Sequence, residues 1–275
     1  MNSMKLSVSA WSVQKDLFSK KTNLYEFIDF CKKNEVDGVE LLDCFWEDDA
    51  QVIKISEYLE KLNLPVSAYS IANDFVQADE DRTKEVEKVR KGIDLAAKLG
   101  AKYLRIFSGE QKEGVAFEQA RSWIVDSFKE CARYAEQKGI VMVLENHGLF
   151  AGKSSQVKGM IDEVASSFLR ANTDTGNFML VGENSLDAIA NMKEYVAYVH
   201  FKDFRRVEGN GHYVAIDGTE YIGTIIGQGE VQLKEIVELL HANGYDGYLS
   251  IEFEGDGDPY SGTEDSIKYL KSVIV

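Results

Sequence analysis

Short apolar segments alternate with longer amphipathic segments along the whole chain, and this alternation constrains the fold more than any other feature. Eight such pairs are present, which we interpret as strands and helices. Strands alternating with helices predict a parallel sheet, and eight units predict an α/β fold, a (β/α)8 TIM barrel, as one domain over residues 1–275. The predicted strands span 5–11, 38–43, 65–70, 103–109, 141–148, 168–177, 196–203 and 248–255. The predicted helices span 24–34, 49–62, 83–100, 117–139, 154–167, 184–194, 231–244 and 263–275.

The main alternative to a barrel is an open, doubly wound parallel sheet. Such a sheet commonly carries a G-x-G-x-x-G turn after its first strand, and the segment SAWSVQKD at 9–16 has no such pattern. One connection is unusually long, the glycine-rich segment 204–230 that follows the seventh predicted strand. A loop of this length is more often functional than idle. Three roles are open for segment 204–230: a lid over the site, a passive surface segment, or a contact to a second subunit.

The charge of the chain disfavours some classes of partner. Lys and Arg total 31 and Asp and Glu total 46, which gives a net charge of −15. Such a field repels phosphate backbones and anionic membranes, so no nucleic-acid partner is expected. No apolar run approaches the roughly 20 residues of a membrane span, and the N-terminal segment does not resemble a signal peptide. The three cysteines are far apart, as free thiols in a reducing compartment would be, so we expect a cytoplasmic protein, with homo-oligomerisation left open.

Four potential metal ligands stand at the ends of the last four predicted strands. They are Glu145, Asp174, His200 and Glu252. In a (β/α)8 barrel the carboxyl ends of the strands meet at one mouth, where a buried carboxylate is costly unless it is paired or bound to a cation. Three carboxylates and one imidazole suit a single divalent ion, Mn²⁺, Mg²⁺, Co²⁺ or Zn²⁺. The structural alternative is that each acid pairs with a barrel lysine or arginine, such as Arg105.

The same strand ends carry motifs that resemble those of the xylose-isomerase-like barrels. The resemblance is to the sugar phosphate isomerase/epimerase group, which includes the ketose 3-epimerases, and it covers the whole chain. Each motif is weak alone, whereas the ordered set is specific for the superfamily. The motifs are GVEL (38–41), VLENHG (143–148), NTDTGN (172–177), HFKDFRR (200–206), GQGEV (227–231) and SIEFEG (250–255).

The resemblance implies a ligand set and a reaction. Glu145, Asp174, His200 and Glu252 would hold the metal, and the other ring nitrogen of the histidine would then need an acceptor. Glu145 and Glu252 would also act as base and acid, removing a proton next to the carbonyl of a keto-sugar, sugar phosphate or related polyol. The metal would stabilise the resulting enediolate. Arg206 falls where the epimerases place a substrate-binding arginine.

Two departures from the epimerase pattern favour a different polyol, keto-sugar or inositol-like substrate. Asn177 stands where the epimerases usually have a histidine, and Ala151 stands where they have a substrate-contacting glutamate. A keto-inositol dehydratase, which is a lyase, and an inactive sugar-binding barrel therefore remain alternatives. An apurinic endonuclease of the same superfamily would need a histidine-rich zinc cluster and a basic face, and four histidines with a charge of −15 argue against it.

Five further residues are substrate-binding candidates. Asn177 is one because of its position in the motif. His147 and Lys202 share the inward faces of their strands with the predicted ligands, although Lys202 could instead pair with a nearby acid. Glu40 also faces inward and could bind a substrate hydroxyl or an arginine. Trp11, at the end of the first predicted strand, could form a wall of the pocket or could simply pack there.

Overall fold

The computed structural model of the protein describes residues 4–46 and 48–274, apart from the Asp49 side chain. Eight of its strands, β1–β7 and β11, close into a barrel in the order β1-β11-β7-β6-β5-β4-β3-β2, and all neighbouring pairs are parallel. The predicted (β/α)8 barrel is therefore confirmed. The strands within the described ranges are β1 (Lys5–Ser9), β2 (Gly38–Leu42), β3 (Val66–Ser70), β4 (Tyr103–Ile106), β5 (Val141–Glu145), β6 (Leu169–Asp174), β7 (Val196–Phe201), β8 (Phe204–Val207), β9 (Tyr213–Val214), β10 (Glu220–Gly223) and β11 (Tyr248–Ile251).

Helices surround the barrel, and each of the eight predicted helices is present. Two short helices, α1 and α7, were not predicted; both lie in connections that follow a barrel strand. The helices of the described chain are α1 (Gln14–Phe18), α2 (Leu24–Lys33), α3 (Asp49–Leu62), α4 (Asp79–Lys98), α5 (Phe117–Lys138), α6 (Ser154–Val164), α7 (Asn177–Leu180), α8 (Ser185–Met192), α9 (Leu233–Ala242) and α10 (Pro259–Val273).

Burial explains why the chain takes this form. Every residue of β2 and of β3 is buried, as expected for parallel strands covered on both faces. On α5 the buried residues Ile124, Phe128, Cys131 and Ala135 recur at helical spacing and form the stripe that packs against the barrel. The helix ends at Gly139, whose φ of 70° is one that glycine adopts without strain. Of the described helices, none is long and apolar enough to cross a membrane.

The three cysteines are free, as the sequence predicted. Cys31 and Cys131 are buried and Cys44 is exposed. Burial raises the pKa of the Cys131 thiol to about 12, so this side chain stays protonated and packs as a small apolar group.

The barrel strands end earlier than predicted on the side that carries the ligands. The strand predicted over 103–109 ends at Ile106, and the one predicted over 141–148 ends at Glu145. Beyond these residues the chain turns outward; Gly148, for example, has a φ of 65°. The apolar and polar residues that follow each strand therefore belong to the loops that surround the barrel mouth.

The long segment 204–230 is not an irregular loop. Its strands form a separate antiparallel sheet in the order β8-β10-β9. Phe204, Ala215 and Tyr221 are buried together and form a small core of their own. The sequence did not indicate this sheet, because strands of two to four residues are too short to show an alternating pattern.

Candidate functional site

The barrel brings together the four residues that the sequence predicted as metal ligands. Glu145 ends β5, Asp174 ends β6, His200 lies in β7 and Glu252 directly follows β11. All four side chains are buried. Each can offer one ligand atom, and the four ligand atoms all lie within 4.8 Å of one another. Register places Asp174 beside His200, so the two side chains share one level of the barrel. Residues far apart in sequence thus form one cluster at the carboxyl ends of four neighbouring strands.

The His200 ring is oriented by a carboxylate on its far side. Its Nε2 atom lies 3.0 Å from each carboxylate oxygen of Glu40. Its Nδ1 atom faces the cluster, 3.3 Å from Oε2 of Glu145 and 3.7 Å from Oε1 of Glu252. Glu40 is thus the acceptor that a metal-binding histidine needs for its other ring nitrogen.

Glu40 lies beneath the cluster and not in the cavity, so the structure gives it a different position from that expected of a substrate ligand. It is fully buried on β2. Besides the histidine, it accepts hydrogen bonds from the hydroxyls of Ser70 (2.5 Å), Ser250 (2.7 Å) and Tyr198 (3.2 Å). Burial opposes ionisation, but His200 and the Ser70 hydroxyl hold the pKa of Glu40 below its usual value. The hydrogen bonds compensate for the cost of a charge at this depth.

Two buried atoms of the cluster have no hydrogen-bond partner, and they indicate a place for a metal. Oδ1 of Asp174 accepts hydrogen bonds from the backbone N–H groups of Gly176 (2.9 Å) and Asn177 (2.8 Å). Within the described chain, Oδ2 of Asp174 accepts no hydrogen bond and Nδ1 of His200 makes none. Buried polar atoms are normally satisfied, so two orphans facing one point fit a bound cation. Carboxylate oxygens and an imidazole nitrogen are ligands of Mn²⁺, Mg²⁺, Co²⁺ and Zn²⁺.

The two candidate catalytic carboxylates have different surroundings. Burial opposes ionisation of Glu145, but His200 and Arg105, whose Nε lies 3.3 Å from its Oε2, hold its pKa well below the usual range. Burial also raises the pKa of Glu252, to about 7, against the opposing charge of Lys202. In the absence of a metal, one carboxylate is therefore held ionised and the other titrates near neutral pH.

Lys202 pairs with three acids at the barrel mouth. Its Nζ lies 2.8 Å from Oε2 of Glu252, 3.2 Å from Oδ2 of Asp174 and 3.2 Å from Oε2 of Glu254. Burial lowers the pKa of Lys202, but these carboxylates hold it well above the usual value. The sequence left open an ion pair with Asp203 or with acids at the mouth, and the structure shows the latter.

Asp203 instead fixes the segment that leads to α9. Its carboxylate accepts hydrogen bonds from the backbone N–H groups of Gly227 (2.9 Å), Gly229 (2.8 Å) and Val231 (3.2 Å). A Cβ atom on Gly229 would clash with this carboxylate. The motifs HFKD and GQGEV therefore contact each other through the hydrogen bonds of Asp203.

A cavity of about 360 Å³ opens directly above the cluster. Glu145 and Glu252 lie on its floor, and Trp11, His147 and Lys202 line it, as predicted for substrate-binding residues. Depressions of about 470 and 700 Å³ lie elsewhere on the surface, but neither includes any of the four clustered ligands. The chemistry of the lining, and not the volume, identifies the candidate site.

Two of the lining residues have fixed partners. The indole N–H of Trp11 donates to Oε1 of Glu254 at 2.5 Å. Nδ1 of His147 lies 3.5 Å from Oε1 of Glu110, and its ring packs against Phe107 with centroids 4.7 Å apart. Both side chains are thus held at the rim of the cavity.

The structure places two other predicted substrate ligands outside the cavity lining. The Asn177 side-chain amide donates a hydrogen bond to Oε1 of Glu145 at 3.2 Å, so it holds a candidate metal ligand in position. Arg206 is exposed on β8, where it lies opposite Tyr221 of β10. A direct substrate contact by Arg206 stays a prediction.

The comparison with known proteins agrees with the geometry. Residues 28–273 match the sequence model of the family described as xylose isomerase-like TIM barrel. The chain belongs to this family. Inosose dehydratase of Clostridium beijerinckii is 25% identical over 217 residues, which cover 69% of this chain and 72% of that protein. Inosose dehydratase of Lacticaseibacillus casei is 24% identical over 51% of this chain and 50% of its own length.

Several solved structures share the whole fold of this chain. The IolI protein, whose structure contains a bound zinc atom, has a TM-score of 0.78 at 18% identity and covers 98% of this chain and 96% of its own. The 3-keto-D-glucoside 4-epimerase YcjR from E. coli has a TM-score of 0.76 at 16% identity, with coverages of 98% and 99%. The probable 3-DHS dehydratase AsbF from Bacillus anthracis has a TM-score of 0.78 at 20% identity, with coverages of 98% and 99%. Dehydratases and epimerases are therefore both represented on this barrel.

One member of the site was missed by sequence analysis. The Glu254 side chain is only 9% exposed, and besides Trp11 and Lys202 it accepts a hydrogen bond from the hydroxyl of Tyr213 at 2.7 Å. Its position two residues after Glu252 was the available signal, since residues two apart in an extended segment share a face. Tyr213 belongs to β9, so this contact ties the small sheet to the cavity.

Proposed function

We propose that this protein is a metal-dependent isomerase or epimerase that moves a proton on a carbon next to the carbonyl of a keto-sugar or related polyol. The observation that carries the proposal is the buried convergence of Glu145, Asp174, His200 and Glu252 on the floor of a cavity of about 360 Å³. Burying an isolated carboxylate costs free energy. A bound cation would offset this cost for the three carboxylates, and it would also give a partner to the imidazole nitrogen that makes no hydrogen bond.

The residues present fit one divalent ion. The four clustered side chains would hold it, and two of their atoms, Nδ1 of His200 and Oδ2 of Asp174, make no hydrogen bond in the structure. When bound, such an ion polarises a carbonyl oxygen and offsets the negative charge that develops as a neighbouring proton leaves. The zinc found in the IolI structure supports a metal on this fold.

The remaining chemistry falls to the side chains on the cavity floor. Glu145 and Glu252 both line the cavity and both lie within 4 Å of the same His200 nitrogen, so a substrate on the floor contacts both carboxylates. One can take the proton and the other can return it, either to another atom or to the opposite face. Arg105 and Lys202 stand beside them and would stabilise the two ionised carboxylates during the exchange.

A keto-inositol dehydratase is the second candidate, and the names of the curated relatives favour it. The reaction begins with the same proton abstraction next to a carbonyl and continues with loss of a hydroxyl group. The same two carboxylates would serve as base and as acid for the departing oxygen. Product analysis separates the candidates, because only the dehydratase releases water.

Proton exchange with D₂O tests the proposal directly. The metal-loaded protein would be incubated with keto-sugars and an inosose, and deuterium incorporation at the carbon next to the carbonyl would be followed by NMR. Glu145→Gln and Glu252→Gln should each abolish exchange, whereas Glu163→Gln, at a surface ion pair on α6, should not change it. Exchange at the parent rate in either site variant would remove that residue as base or acid. Absence of exchange with every substrate would contradict the proposed reaction.

A further inference from the structure

We infer that the cavity selects an uncharged polyol over the same molecule carrying a phosphate or a carboxylate. The inference rests on the proposed function for the kind of molecule bound, and it names the charge class of that molecule. Its own basis is the way in which the cations and anions of the cavity are already paired.

The lysine at the cavity already has carboxylate partners. Nζ of Lys202 has three carboxylate oxygens around it, at 2.8 Å from Glu252 and at 3.2 Å from each of Asp174 and Glu254. Glu254 is not one of the four candidate metal ligands, so it would still pair with the lysine when an ion is bound. The Lys202 side chain is 7% exposed, and turning to an anion would leave the buried Glu254 carboxylate without its cation.

The arginine at the cavity is also held in place. Nη1 of Arg105 donates to the carbonyl oxygen of Ile71 at 3.0 Å, and its Nε lies 3.3 Å from Glu145. The guanidinium stacks on Phe107, 4.0 Å from the ring centroid. It therefore already serves as the counter-ion of a predicted metal ligand.

The cations around the cavity leave no excess positive charge for an anion. One divalent ion in the cluster would bring the charges around the cavity to neutral, because five carboxylates stand against three cations, one of them Lys88, which pairs with Asp43 at 3.7 Å. His147 at the rim does not change this balance, since it faces its own carboxylate, Glu110. An added phosphate would therefore find no unpaired cation in a partly desolvated space. The carboxylates are those of Asp43, Glu145, Asp174, Glu252 and Glu254, and the other two cations are Arg105 and Lys202.

Much of the remaining wall is apolar. Phe18, Leu42, Ala72 and Phe107 present carbon atoms to the cavity. The indole N–H of Trp11, which could have served as a donor, is bound to Glu254. Such a wall suits the C–H groups of a polyol, whose hydroxyls can turn toward the polar floor.

Matched pairs of ligands test the inference. Affinities of the Mn²⁺-loaded protein would be measured by calorimetry for D-fructose against D-fructose 6-phosphate and for myo-inositol against myo-inositol 1-phosphate. We expect the neutral member of each pair to bind at least tenfold more tightly, which corresponds to about 1.4 kcal/mol. Equal or tighter binding of either phosphate would overturn the inference, as would a failure of both neutral members to bind.

A variant tests whether the acidic lining is the cause. Glu254→Gln removes one negative charge and frees one donor of Lys202, so the difference between neutral and phosphorylated ligands should shrink at least threefold. Glu163→Gln removes the same charge from α6, on the outside of the barrel, and should leave the difference within twofold. An unchanged difference in Glu254→Gln would contradict the inference.

The two proposals fail in different ways. D-fructose that binds without exchanging its proton with D₂O would contradict the proposed reaction and leave the charge preference standing. D-fructose 6-phosphate that binds more tightly than D-fructose and exchanges its proton would support the reaction and overturn the charge preference.

Discussion

Nε2 of His200 lies 3.0 Å from both carboxylate oxygens of Glu40, across the barrel interior from β7 to β2. Burial lowers the pKa of His200, but Glu40, Glu252 and Glu145 hold it well above its usual value, so Nδ1 would release a proton when an ion binds. The contact with Glu40 fixes the orientation of the ring, with Nδ1 facing Glu145 and Glu252. Sequence reasoning left open whether Glu40 binds a substrate hydroxyl or an arginine, and the structure shows it in contact with a candidate metal ligand.

We predict that Glu40→Gln lowers the affinity for a divalent ion by about 10–100-fold, the usual cost of removing a partner that orients a metal ligand. The amide would accept from the ring more weakly and would place a donor among the hydroxyls of Ser70 and Ser250. Titration calorimetry with Mn²⁺ measures the change, and a melting curve without metal shows whether the variant is folded. Glu163→Gln is the control, and a folded Glu40→Gln variant with affinity within twofold of the parent would remove this role from Glu40.

A second prediction concerns the contact between Asp203 and the backbone of 227–231. Gly229→Ala should lower the free energy of unfolding by about 1–3 kcal/mol, because the added Cβ overlaps the Asp203 carboxylate and the carbonyl oxygen of Phe204. Gly159→Ala, within α6, is the matched control. There a Cβ would meet its nearest neighbour, Arg121, at 3.5 Å, so alanine should raise stability by about 0.5–1 kcal/mol. Urea denaturation that ranked the two variants in the opposite order would contradict this description of the segment.

The position of Arg206 on the small sheet leads to a prediction about the kinetics of the Arg206→Ala variant. A direct substrate contact, as the sequence motif suggested, predicts that Arg206→Ala lowers kcat/KM at least tenfold, or about 1.4 kcal/mol. Its exposed position on the small sheet, outside the cavity lining, predicts a change within about twofold, which is the outcome we expect. Tyr213→Phe is the companion variant, because Tyr213 reaches the site through Glu254 and its loss should alter KM. Steady-state kinetics on a substrate found by proton exchange decides between them.

The clustering of the four candidate ligands could be predicted from sequence because each lies at or next to the end of its own strand, and strand ends of a barrel meet wherever the helices between them lie. The partners of those ligands could not. Glu40 and His200 are 160 positions apart, and no local pattern relates them. The same holds for Glu254. Its sequence neighbours are typical of an acidic loop, and its hydrogen bonds from Trp11 and Tyr213 come from distant parts of the chain. The role of Asp203 was equally hidden, because its partners are backbone N–H groups that any sequence supplies.

Crystals of the Mn²⁺-loaded protein give the most direct test of the central claim, that Glu145, Asp174, His200 and Glu252 form one metal site. Anomalous diffraction should show a single strong peak among these four side chains, with each ligand atom at roughly 2.0–2.4 Å from it and Nδ1 as the histidine ligand. A peak bound elsewhere, or the four side chains turned away from one another with no density between them, would contradict the account.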